Sequence, residues 1–179
     1  MPHNRLRTLP LFALVVALGA CHTDAAAVPM RTETPTHSTT QAKTKGEELL
    51  SELWAKVYNP PQDLDAIDRL CTEDFILSNP DGDVVGRAAF KEWARSFSSK
   101  IRDMRLTSLD MFSSADGSRV VSRWTVTGFN RGVLGSEPDD RPIQFSGIAV
   151  WEVREGKLAH NWVERSAYEL SKKLAEPVR

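Results

Sequence analysis

Apolar positions recur at helical spacing in the first half of the chain and at strand spacing in the second. Leu49, Leu50, Leu53, Trp54 and Val57 share one helix face, and Asn59-Pro60-Pro61 stops that helix because proline lacks the amide to continue the ladder. Leu64, Ile67, Leu70 and Cys71 mark a second helix ending near Thr72, and Phe75-Ile76-Leu77 a short strand. Asn79-Pro80-Asp81-Gly82 has turn chemistry. Phe90, Trp93, Ala94, Phe97 and Ile101 then fall on one face of a third helix. Long strands follow: Arg105–Phe112, Arg119–Asn130, Ile143–Arg154 and Lys157–Ser166. Asp116-Gly117 and Glu155-Gly156 suit tight hairpins, and a loop with Gly132, Gly135 and Pro138 joins the middle pair. A short helix, Ala167–Leu174, closes the pattern. Helices first and an antiparallel meander afterwards predict an α+β fold. Ile143, Phe145, Gly147, Ala149, Trp151 and Val153 form one continuous strand face, expected to lie against the helices.

The start of the chain has a different pattern. Met1–Thr8 carries Arg5 and Arg7 and no acid, Leu9–Leu18 is apolar apart from Pro10, and small residues follow. This is the layout of a secretory signal over residues 1–20. Ten helical residues rise only about 15 Å, half a bilayer core, so the segment is too short to span a membrane. Residues 21–44 are rich in Thr, Ala, Ser and Pro with no apolar period, and are expected to be a disordered linker. The folded domain is expected over 45–176, with a tail at 177–179.

Charge and composition remove several function classes. Losing Arg5 and Arg7 with the leader leaves 21 basic against 24 acidic residues, a balance of −3. No basic stripe stands out, so no nucleic-acid partner is implied. The chain has two cysteines, Cys21 and Cys71. Of the four histidines only His160 falls in the domain, so a His/Cys metal site has no ligands to draw on. There is no phosphate-cradling glycine loop, no GxSxG elbow, and no cofactor is implied.

The last strand holds the candidate chemistry. Leu158, His160, Trp162, Glu164 and Ser166 alternate with Ala159, Asn161, Val163 and Arg165. Strand side chains alternate faces, so the first set is expected to look one way together. His160, Trp162 and Glu164 would line a polar-ended pocket, or sit on a solvated face with Trp162 packed on a neighbour. Trp54, Trp93 and Trp124 are expected in the core.

Two resemblances extend this reading. Leu18-Gly19-Ala20-Cys21 resembles the bacterial lipobox, which implies cleavage before Cys21 and acylation of its thiol. His22 rather than Asp after the cysteine implies an outer-membrane lipoprotein with its domain facing the periplasm. Glu73-Asp74-Phe75, the Pro80–Gly86 segment, Arg123-Trp124-Thr125-Val126-Thr127-Gly128, the Gly132–Pro138 loop and Gly156-Lys157-Leu158 followed by Trp162 resemble the SnoaL-like branch of the NTF2-like superfamily. That resemblance covers about 46–174. It implies a cone of N-terminal helices on a curved antiparallel sheet, shared with polyketide cyclases and ketosteroid isomerase. It also implies ligand contacts at Ser78, Trp162, Glu164 and Ser166.

The departures bear on activity. Where SnoaL-like cyclases carry an acid/base Asp four residues after the strand Trp, this chain has Ser166. Ser78 stands near the place of a His, and Asn79 replaces the isomerase's Asp before proline. The isomerase's first-helix Tyr would align roughly with Trp54. Neither an amide nor an isolated hydroxyl can act as a base near neutral pH. Glu164 and His160 remain as candidate catalytic groups. Three functions stay open: a pocket for a small apolar or amphipathic molecule without catalysis, a cofactor-free cyclase or isomerase using Glu164 or His160, and an interaction module forming a homodimer through its sheet.

The anchor is open to a direct test. Cys21→Ser is expected to move the protein from the membrane pellet to the soluble periplasmic fraction, still folded. Retention in the pellet would contradict lipid attachment.

Overall fold

The computed structural model describes residues 43–177; the expected signal and most of the expected linker lie outside them. Helix α1 (Lys45–Leu53) begins at Thr44, whose hydroxyl accepts from the Glu47 amide while the Glu47 carboxylate accepts from the Thr44 amide. The other Glu47 oxygen accepts from Ser113 Oγ at 2.9 Å, which pins the helix start to the sheet. The helix widens into one π-turn, Trp54–Tyr58, and stops at Asn59. Helix α2 (Ala66–Leu70) is a short piece leading into β1 (Cys71–Asn79). A short strand β2 (Gly82–Val85) folds back on β1. Gly86, at φ 95°, turns the chain into α3 (Arg87–Ser99), a conformation that favours glycine.

The rest is sheet. Strands β3 (Ile101–Ser113), β4 (Arg119–Asn130), β5 (Pro142–Arg154) and β6 (Lys157–Arg165) form an antiparallel meander, and α4 (Ala167–Ala175) closes the chain. The six strands lie in the order β2-β1-β6-β5-β4-β3. The expected α+β class holds, with one parallel ladder, β1 on β6. The third helix ends two residues before Ile101, which opens β3. The sequence pattern missed β2 because four residues behind a turn show no clear alternation.

The odd-numbered face of β5, Ile143 to Trp151, is buried against the helices as expected. Phe75 meets Phe90 of α3 at 4.6 Å between ring centroids, and Trp151 donates its indole N–H to Ser122. Asn59 clamps the helix end on the edge strand, its side chain donating to the Leu106 carbonyl and accepting from the Leu106 amide.

One irregularity sets the facing of β6. The hairpin at Glu155-Gly156 pairs Arg154 with Lys157 and Val153 with Leu158. The next pairs are Glu152 with His160 and Trp151 with Asn161, so Ala159 is one extra residue in β6. Leu158 therefore faces inward with Asn161, Val163 and Arg165, while His160, Trp162 and Glu164 face outward with Glu152, Val150 and Ile148.

Gly147 shows how closely the inner face is filled. A Cβ there would lie 2.3 and 2.6 Å from Trp124 ring carbons and 2.7 Å from the Glu164 carbonyl oxygen. Gly147→Ala is expected to destabilise the domain by about 1–3 kcal/mol in denaturant titrations. An unchanged midpoint would contradict the placement of Trp124 over β5.

Candidate functional site

The concave side of the sheet and α3 enclose an aromatic-walled space in two parts. The outer chamber has a volume of about 370 Å³ and is walled by Trp93, Phe97, Phe145, Val133, Leu134 and Leu170. Ser96, Lys100, Asp81 and Arg165 supply its polar groups. The inner chamber is only about 30 Å³, enough for a water molecule, between Trp54, Trp124, Trp151 and Leu77. Trp93, Phe97 and Arg165 line both parts and stand at the junction.

Local sequence explains the walls. Trp93 and Phe97 are i, i+4 neighbours on α3 and stack at 5.0 Å with an interplanar angle of 7°. The π-turn carries Trp54 and Tyr58 into the inner chamber. Gly147, with no side chain, leaves room for the Trp124 ring, which meets Phe145 edge-on.

Three polar side chains reach the inner chamber: Tyr58, Asn161 and Arg165. Burial pushes the Tyr58 phenol above its ordinary value, partly offset by the Arg165 charge. Burial pulls the Arg165 guanidinium below its ordinary value, with Tyr58, Asp81 and Glu164 acting in the opposite sense. The Asn161 carboxamide oxygen is buried without a hydrogen-bond partner among the described residues. Asp81, at the outer mouth, is the only carboxylate lining either chamber among the described residues. Cys71 lies in the core, its thiol pushed up to about 12 by burial, so it is no nucleophile. No group of three or more His, Cys, Asp or Glu side chains among the described residues could hold a metal ion.

The residues expected to share a pocket lie on the other face. Ser78, Trp162 and Glu164 come together with Pro80, Ile148 and Val150 in a shallow groove on the outside of the sheet. Trp162 is 38% exposed. His160 stacks on the Trp162 ring at 3.7 Å, its Nε2 is 3.0 Å from Ser78 Oγ, and burial lowers its pKa. Ser166 does not join them; its hydroxyl accepts from the Ser146 amide at 2.9 Å and closes the end of the β5–β6 ladder. The physical reason for the outward facing is the Ala159 bulge, because a one-residue slip turns every later side chain to the opposite face. The same bulge brings in Asn161, Val163 and Arg165, which the alternation had set aside. Tyr58 was missed because it lies one turn beyond Trp54, where only the π-turn directs it inward. Trp54 and Trp124 are core residues as expected and also wall the cavity.

A family model for the SnoaL-like domain matches residues 47–161. The chain belongs to the SnoaL-like domain family. Solved structures agree in fold. TsrD from Streptomyces laurentii matches with a TM-score of 0.65 and 23% identity, over 75% of this chain and 98% of its own. A candidate SnoaL-like polyketide cyclase from Jannaschia Sp. CCS1 matches with a TM-score of 0.69 and 14% identity, over 77% of this chain and 99% of its own. A protein of ketosteroid isomerase-like fold from Catenulispora acidiphila DSM 44928, in complex with trimethylamine, matches with a TM-score of 0.59 and 14% identity, over 73% and 94%. No curated protein matches the sequence. Likeness at these identities gives this SnoaL-like domain its NTF2-like fold and leaves its chemistry to be argued from its own residues.

Proposed function

We propose that this SnoaL-like domain binds a small, planar, largely apolar molecule in the cavity between α3 and the concave face of the sheet, without acid/base catalysis. The observation that carries the reading is the composition of the cavity. Its walls are aromatic and aliphatic, and its inner polar groups are Tyr58, Asn161 and Arg165. A few placed polar groups in an apolar concavity are the usual makeup of a small-molecule site. None of the three inner groups exchanges a proton readily near neutral pH: the phenol is raised, the guanidinium stays charged and the carboxamide does not titrate, while Asp81, the one carboxylate lining the cavity among the described residues, is exposed at the outer mouth. Glu164 and His160, the acid/base candidates, face away from the cavity. The likeness to candidate polyketide cyclases favours a ringed ligand. Anchoring through Cys21, expected from the leader, would hold this pocket at the cell envelope and is part of the same proposal.

Binding by the inner face separates two tryptophans. Isothermal titration with planar phenols, 2-naphthol and a hydroxyanthraquinone, is expected to show uptake that Trp93→Ala weakens by about tenfold or more, because an aromatic wall supplies much of the contact area. Trp162→Ala is expected to leave uptake unchanged. The reverse pattern would move the site to the outer groove and contradict the proposal.

A further inference from the structure

The cavity contains a cation that the chain itself does not neutralise. Arg165 ends β6 on the inner face, opposite Gly147. Its guanidinium carbon lies 5.3 Å from the Trp93 ring centroid and 5.7 Å from that of Phe97. Ring faces supply cation–π attraction but no hydrogen-bond acceptor. Among the described residues no carboxylate forms a contact ion pair with Arg165, although Asp81 and Glu164 act on it from a distance. A guanidinium has five N–H donors, and those of Arg165 are not among the buried unpartnered atoms, so an acceptor in the cavity can reach them. Lys100 lines the same chamber, so two cations face the single carboxylate of Asp81. Asn161, four residues before Arg165 on the same strand face, adds the buried unpartnered carboxamide oxygen. The polar end of the cavity is therefore short of an anion.

We propose that the ligand of this cavity is an anion: a planar aromatic body bearing a carboxylate, with the carboxylate on the Arg165 guanidinium and the body against Trp93, Phe97 and Phe145. The inference rests on the reading of this cavity as a small-molecule site. A carboxylate suits the position because its two oxygens match the planar N–H fork of arginine. Arg165 also stands at the junction of the two chambers, so a ligand held there keeps its rings in the 370 Å³ part.

The test compares two probes of the same shape, 2-naphthoate and the neutral 2-naphthamide, titrated calorimetrically into the full chain at neutral pH. The carboxylate is expected to bind about tenfold tighter or more, the size of one charge-assisted pairing. Arg165→Gln is expected to abolish that preference, so that the two probes bind this variant equally, with thermal melting confirming the fold. Arg165→Lys, which keeps the charge and loses the fork, should retain part of the preference. Equal binding of the two probes by the wild-type chain would overturn the anionic ligand and leave the pocket standing; this comparison needs no variant. A preference that survives in folded Arg165→Gln would overturn the role of Arg165. Failure of both probes to bind would overturn the pocket and the anion together.

Discussion

The extra residue at Ala159 governs how β6 meets the rest of the sheet. A two-residue hairpin continued in straight register would set His160 opposite Trp151, and would send Trp162 and Glu164 into the core side. The bulge instead sets Asn161 opposite Trp151 and Arg165 opposite Gly147. Side-chain direction has a period of two, so one inserted residue exchanges the faces of everything after it. Burial decides in favour of this arrangement. Val163 is almost fully buried against the helices, while Glu164 remains in water, where a charged group costs nothing to hold.

The consequences reach the cavity. Gly147 lacks a side chain where Arg165 and the Trp124 ring come together. The π-turn after α1 brings Tyr58 toward the same place, and the Asn59 clamp to Leu106 holds that turn on the sheet edge. Trp93 and Phe97 close the space from α3. Three elements far apart in sequence thus meet around one guanidinium. The outer face is left with an apolar row in register across four strands, Phe112 and Trp162 exposed at its ends and Val121 and Val150 half-buried between them.

Much of this architecture can be read from the chain. The apolar spacing of Leu49 to Val57 gives α1, the Pro60-Pro61 pair gives its end, and the odd positions from Ile143 to Trp151 give the buried face of β5. These are long periodic signals, and burial enforces them. The site is written less plainly. A bulge changes no residue type, so the alternation around Ala159 looks unbroken and groups Leu158 with His160, Trp162 and Glu164. An arginine at a strand end has the pattern of a solvated charge until its aromatic neighbours on α3 are in place. Ser78, Trp162 and Glu164, expected in the cone, line a groove on the convex side instead. Ser166 instead finishes a ladder.

A ligand of this cavity has to meet the concave face of β6. Intermolecular nuclear Overhauser contacts from a bound planar aromatic ligand test this most directly. Contacts to the ring protons of Trp93, Phe97 and Phe145 are expected. Contacts to Trp162 and Ile148, with none to α3, would contradict the cavity as the site.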